Sequence, residues 1–136
     1  MSACLLCAGE DEVVLWRDAL CRVIWVEDAR YPGFCRVILN AHQKEMTDLP
    51  VDQRRHLMDV VFAVEAAVRE AARPDKINLA SLGNVVPHVH WHVIPRWVDD
   101  ANFPDAIWAA ARREASPRDA AADLKARIQA LLRIPG

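Results

Sequence analysis

The segment from Pro87 to Arg96 constrains the fold of this chain more than any other feature. Histidines stand at positions 88, 90 and 92, and apolar residues stand at positions 89, 91 and 93. Because successive side chains of a β-strand point to opposite faces, this alternation predicts a strand over residues 88–94. The apolar face of that strand would pack on a core, and the imidazoles would share the other face.

The other elements predict an α+β domain. Alternating or apolar segments predict further strands over residues 12–17, 20–26, 34–40 and 77–82. A long helix is predicted from Leu49-Pro50 to Pro74, because its apolar residues recur at spacings of three and four. The order along the chain is three strands, one helix, two strands and then helices. This order favours an antiparallel sheet over the strand–helix alternation of a parallel sheet.

The last part of the chain predicts a helical extension, residues 99–136, beyond a core at about residues 4–98. Phe103-Pro104-Asp105 is expected to begin a short alanine-rich helix near Trp108. Ser116-Pro117, with a capping serine and a first-turn proline, is expected to begin a final helix that runs to about Leu132. Trp97 and Trp108 are candidates for a dimer interface or for the rim of a substrate site.

Composition narrows the class of protein. A chain of 136 residues, 53% hydrophobic and 26% charged, fits one domain, residues 1–136. Its net charge of −2 argues against a general nucleic-acid or anionic-membrane binder. No apolar run approaches the ~20 residues that span a bilayer, and the first residues do not resemble a signal peptide, so a cytoplasmic location is expected.

Other residue types exclude or suggest particular sites. With only four glycines, the chain cannot form the glycine-rich loops of P-loop or Rossmann nucleotide sites. Its four cysteines are expected to be thiols or metal ligands rather than disulfides. Of these, Cys21 and Cys35 lie in apolar segments and are expected to be core thiols.

The clustered histidines have four possible explanations. They could form an exposed polar face, a single metal site, a pH sensor built from repelling imidazoles, or a nucleophilic centre. A single metal site is strained, because the outer Cα atoms, four residues apart on a strand, lie about 13 Å apart. Neutral imidazole is a good nucleophile near pH 7, and a phosphoryl imidazole is reactive enough to pass its group to water. The middle residue, His90, is the candidate nucleophile.

The sequence resembles the histidine triad (HIT) family, whose signature is His-φ-His-φ-His-φ-φ, with φ apolar. Here the signature is His88-Val89-His90-Trp91-His92-Val93-Ile94. The resemblance implies an α+β domain with a five-stranded antiparallel sheet, one long central helix and pairing into homodimers. It also implies a nucleotidyl hydrolase or transferase that needs no metal for the chemistry. Substrates of such enzymes include nucleoside phosphoramidates and dinucleoside polyphosphates.

By position in that family, His90 would take the nucleotidyl group. His88 and His92 would orient it and contact phosphate oxygens or the leaving group. Asn84 would contact the α-phosphate, with Asn78 as a second candidate. An acidic side chain near Glu27-Asp28 would accept ribose hydroxyl groups, and Asp28 is the choice between the two. Position 85, where several branches of the family carry a polar residue, holds Val85, which leaves the preferred leaving group open.

The resemblance also implies a possible structural zinc site. Cys4 and Cys7 form a Cys-x-x-Cys pair, and the matching histidines would be His42 and His88. His88 would then be a ligand, leaving His90 and His92 for chemistry. The alternatives to the enzyme are a purine-nucleotide-binding or interaction protein with little turnover, and a structural zinc protein without a nucleotide role.

Overall fold

The computed structural model describes residues 4–115, 118 and 120–136. Five strands form one antiparallel sheet in the order β1-β2-β3-β5-β4. The strands are β1 (Val13–Arg17), β2 (Cys21–Trp25), β3 (Cys35–Leu39), β4 (Lys76–Ala80) and β5 (His90–Arg96). The expected α+β fold with a five-stranded antiparallel sheet is confirmed.

Three helices are described, α1 (Leu5–Ala8), α2 (Val51–Ala72) and α3 (Leu124–Leu131), with one 3₁₀ turn at Met46–Asp48. The long helix α2 begins directly after Pro50, where the missing amide hydrogen costs nothing. It ends at Arg73, which adopts a left-handed conformation just before Pro74. No helix in the described part of the chain is long and apolar enough to cross a membrane.

The main core lies between α2 and one face of the sheet. Val23, Val37 and Val93 come from three adjacent strands and are fully buried there with Leu57 and Val60 of α2. Trp16, Trp25 and Trp91 pack against the same core. This packing occupies one face of the sheet, so the opposite, outer face is available for polar side chains.

Cys21 and Cys35 belong to this core and are free thiols. Burial raises the pKa of each to about 12, and for Cys21 the nearby Asp18 carboxylate adds to the shift. The prediction that both are core thiols is confirmed.

Strand β5 differs from its predicted limits at both ends. It begins at His90, so His88 precedes the strand, and it continues through Pro95 to Arg96. Pro95 pairs with Ile77 on β4, whereas the ladder to β3 stops at the pair Cys35–Val93. Proline fits there because no residue of β3 pairs with it.

The C-terminal extension is less helical than expected. Residues 103–110 form turns and bends, not the predicted helix. Polar side chains hold the backbone instead: Asn102 Nδ2 donates to Ala109 O, and the Arg113 guanidinium donates to Phe103 O. The predicted helix start at Ser116-Pro117 lies outside the described residues. The final helix is described from Leu124, whose side chain and that of Ile128 are buried in the main core.

Candidate active site

His90 and His92 lie side by side on the outer face of the sheet. Their ring centroids are 5.0 Å apart, with an interplanar angle of 80°. The two residues are adjacent on one face because they are two positions apart on β5, as the alternation predicts. His90 is half-buried and His92 is 6% exposed.

The hydrogen bond of His90 fixes which of its nitrogens can attack. Its Nδ1 lies 2.6 Å from the carbonyl oxygen of His88. A carbonyl oxygen only accepts, so Nδ1 carries the proton and donates it. In the neutral ring the lone pair is therefore on Nε2, the nitrogen that a nucleophile would use.

His92 is held in the opposite tautomer. Arg36 Nε donates to His92 Nδ1 at 3.2 Å, so the proton of the neutral ring is on Nε2. Burial, together with the positive charge of Arg36 and the neighbouring His90, lowers the pKa of His92 to about 4. His92 is therefore neutral at pH 7 and presents an N–H donor.

His88 is directed away from this pair. It is fully buried, and its Nε2 donates to the carbonyl oxygen of Leu39 at 2.6 Å. Its Nδ1 lies 3.4 Å from the Cys4 sulfur and 3.5 Å from the Cys7 sulfur. With both ring nitrogens engaged, the geometry favours the ligand role of His88 over the catalytic role that the family resemblance implied.

The four predicted metal ligands come together. Nδ1 of His42 lies 3.3 Å from the Cys7 sulfur, and one ligand atom from each of Cys4, Cys7, His42 and His88 lies within 4.8 Å of every other. Tetrahedral zinc with Zn–S of about 2.3 Å and Zn–N of about 2.0 Å would place S and N about 3.5 Å apart. The S–N distances match that geometry, and two thiols with two imidazoles are a donor set that suits zinc.

Two cavities flank the His90–His92 pair. The first, about 500 Å³, is also lined by Trp25, Glu27 and Arg36. The second, about 380 Å³, is mainly apolar and is lined by residues that include Asn84 and Trp108. The histidine pair therefore borders both cavities, and a substrate that reaches from one cavity into the other would cross the pair.

The three predicted substrate-binding residues lie in different surroundings. Asn84 is exposed and lines the second cavity. Asn78, on β4, accepts a hydrogen bond from the buried Arg96 at 2.7 Å. The Asp28 carboxylate accepts from the backbone N–H of Arg30 at 3.0 Å. The structure therefore brings Asn84 to the histidines and gives Asn78 and Asp28 other partners.

Glu27, not Asp28, is the acidic residue of that pair that lines the first cavity. Its carboxylate accepts a hydrogen bond from Trp25 Nε1 at 2.8 Å. Trp25 is the last residue of β2, so alternation along the strand does not determine which of the next residues faces the cleft. Glu27 is therefore the better placed candidate to accept hydroxyl groups.

Sequence reasoning missed Arg36, and it left Trp108 between a dimer interface and the rim of a substrate site. Arg36 lies directly opposite His92 in the pairing of β3 with β5. Strand pairing could have revealed it once the register was known, but the register is not encoded in a short motif. The Trp108 ring lies edge-on to His92 with centroids 4.9 Å apart, although Trp108 itself is 51% exposed.

Known proteins resemble this chain in sequence and in fold. Over 78 residues it is 30% identical to an AP-4-A phosphorylase of Mycobacterium tuberculosis, covering 53% of this chain and 40% of that protein. Over 77 residues it is 29% identical to an uncharacterised HIT-like protein of Saccharolobus solfataricus, covering 53% of this chain and 55% of the relative. The matched segment thus spans about half or less of each relative.

Two crystal structures match most of the chain. A histidine triad protein of Bradyrhizobium japonicum superposes with a TM-score of 0.77 at 27% identity, over 93% of this chain and 94% of that one. A histidine triad protein of Marinobacter aquaeolei gives a TM-score of 0.74 at 29% identity, over 91% and 90% of the two chains. The model of the HIT domain matches residues 8–98, well over half of the sequence. The chain therefore belongs to the histidine triad family.

Proposed function

We propose that this protein is a nucleotidyl hydrolase or transferase in which His90 attacks the α-phosphate of a nucleotide substrate. The observation that carries the proposal is the tautomer of His90: its Nδ1–H is bound to a backbone carbonyl, which leaves the Nε2 lone pair available. Membership of the histidine triad family and the similarity to an AP-4-A phosphorylase support this reading. Dinucleoside polyphosphates and nucleoside phosphoramidates are the proposed substrates.

The reaction has two steps. In the first, the Nε2 lone pair of His90 forms a bond to phosphorus, and the bond from phosphorus to the leaving group breaks. The leaving group departs with the electron pair and takes up a proton. In the second, water or another acceptor attacks phosphorus, the N–P bond breaks, and the acceptor loses a proton.

His92 and Asn84 serve this reaction as donors. Neutral His92 presents Nε2–H beside His90 and can bind a phosphoryl oxygen as negative charge develops on it. The Asn84 side chain, at the second cavity, can donate to another oxygen of the same group. Glu27 is placed to accept ribose hydroxyl groups at the first cavity.

We also propose that Cys4, Cys7, His42 and His88 hold a structural zinc ion. All four positions of a tetrahedral site would be filled by protein ligands, as in structural zinc sites. The metal would fix the N-terminal segment near the backbone carbonyl that orients His90, and it would take no part in the reaction. Pairing into homodimers and a cytoplasmic location are expected from the resemblance and the composition.

The direct test replaces His90 with asparagine, which keeps a polar side chain but removes the nucleophile. We expect hydrolysis of an adenosine phosphoramidate and of diadenosine tetraphosphate to fall at least ~10³-fold with the fold intact. Intact-mass measurement of the wild type after rapid quenching should show a nucleotidyl adduct that His90→Asn lacks. His56→Asn, on α2, is the matched control and should retain activity.

Full activity in His90→Asn would reject the mechanism. If the wild type binds nucleotide but shows neither turnover nor an adduct, the protein is better described as a nucleotide-binding or interaction protein.

A further inference from the structure

Three arginines on the outer face of the sheet differ in their partners. Arg22 holds the Glu12 carboxylate with two hydrogen bonds, of 2.6 and 2.9 Å. Arg96 holds the Asp100 carboxylate in the same way, at 2.8 and 2.9 Å. In each pair a carboxylate neutralises the buried guanidinium, as is usual for a charge removed from water.

Arg36, between them, has no such partner. Among the residues that the structure describes, no carboxylate oxygen lies within 4.0 Å of its guanidinium. Its Nε donates to His92, and its guanidinium carbon lies 5.4 Å from the centroid of the Phe34 ring. Its terminal nitrogens make no hydrogen bond to the described part of the chain. Since every buried side-chain nitrogen there has a partner, these two reach solvent.

The cleft explains where those terminal nitrogens can bind. Arg36 lines the first cavity together with His90 and His92. Four acidic residues line it as well: Glu10, Asp11, Glu12 and Glu27. Within the described lining of that cavity, Arg36 is the only residue with a permanent positive charge. A half-buried guanidinium without a counter-ion, beside a nucleophile, is suited to an anionic group that offers two acceptor oxygens, such as a phosphate.

We propose that Arg36 is the phosphate-binding cation of this site and that its Nε also positions His92. This inference rests on the proposed function. The terminal guanidinium nitrogens would donate to non-bridging oxygens of the phosphoryl group that His90 attacks. The same side chain, through Nε, keeps the proton of His92 on Nε2, where it can donate to that group.

Binding of a nucleoside monophosphate, compared with the corresponding nucleoside, separates the phosphate contact from contacts to base and ribose. We expect Arg36→Met to weaken the binding of adenosine 5′-monophosphate about 10- to 100-fold, and the binding of adenosine by less than about 3-fold. Arg36→Lys should recover part of the monophosphate affinity. Arg55→Met, an exposed arginine of α2, is the matched control and should change neither.

The positioning role has its own readout. Nitrogen chemical shifts of His92 should report the Nε2–H tautomer in the wild type and a mixture of tautomers in both Arg36→Met and Arg36→Lys. For turnover, we expect Arg36→Met to lower kcat as well as raise KM, whereas a residue that only stabilises the fold would lower the fraction of active protein.

Two results would overturn the proposal. One is an Arg36→Met variant that binds the monophosphate as tightly as the wild type; the other is an unchanged His92 tautomer. If the wild type binds the monophosphate but never turns over, the enzymatic proposal fails while the phosphate contact of Arg36 is still measured. If the wild type binds no monophosphate, the phosphate contact fails with it.

Discussion

His88 and His90 are two residues apart, yet they lie in contrasting environments. His88 is fully buried, its Nε2 donates to Leu39, and its Nδ1 faces two sulfur atoms. His90 is half-buried, with one ring nitrogen bonded to a carbonyl and the other available. In the first environment protein atoms contact both ring nitrogens, so the site is closed. In the second, one ring nitrogen has no partner among the described residues, so the site is open.

The difference shows that hydrogen-bond partners, rather than position in the motif, determine what each imidazole can do. A closed site suits a structural metal, and an open one suits a reaction. The two are linked, because the carbonyl oxygen that fixes the His90 tautomer belongs to His88 itself. Any change that loosens the closed cluster would therefore also disturb the orientation of the nucleophile.

The largest expected effect comes from replacing His88, whose two ring nitrogens both have partners. His88→Ala leaves a cavity and strips a partner from the buried carbonyl of Leu39, so we expect a loss of about 2–4 kcal/mol in the free energy of unfolding. His90→Ala, the matched change on the open side, should cost less than about 1 kcal/mol. Urea unfolding measures both, and metal analysis should show zinc lost only from His88→Ala. Equal destabilisation by the two changes would contradict the contrast.

The histidine pair could be predicted from local sequence because it depends on the alternation of one strand. His90 and His92 share a face, and Trp91 and Val93 pack in the core, as the period of two requires. His88 departs from this rule because it precedes β5, where alternation no longer applies. The metal cluster was predicted only through family resemblance, since its ligands come from three separate parts of the chain.

The rest of the site depends on contacts that no local pattern encodes. Arg36 meets His92 only because β3 and β5 pair in one particular register. Trp108 reaches the same histidine from a segment that was expected to be helical and is held in turns by Asn102 and Arg113. These bonds join side chains to backbone carbonyls 7 and 10 residues away, and alanine-rich composition carries no information about them.

The second effect is a dependence of stability on pH, and it arises from His92 of the open pair. Burial holds the folded pKa of His92 at about 4, below its ordinary value of 6.5, with Arg36 and His90 as the charged or titratable neighbours. Between these values the unfolded chain binds the extra proton, so stability is full above pH 6.5 and is lost as the pH falls towards 4. We expect His92 to contribute about 1–3 kcal/mol of this loss. Urea unfolding from pH 7 to pH 4.5 should therefore be less pH-dependent in His92→Gln. An identical slope in the two proteins would show that His92 titrates normally in the fold.

The smallest expected effect concerns the open side alone. Trp108 covers His92 from the second cavity, so Trp108→Ala should expose that ring to water and raise its pKa towards 6.5. Trp108→Phe, which keeps an aromatic ring in place, should leave the pKa close to its wild-type value. Because Trp108 is 51% exposed, either change should cost less than about 1 kcal/mol of stability. NMR titration of His92 measures the pKa. A histidine that titrates identically in all three proteins would mean that Phe34 and the strands β3 and β5 keep it from water. The C-terminal segment would then have no part in setting the chemistry of the His90–His92 pair.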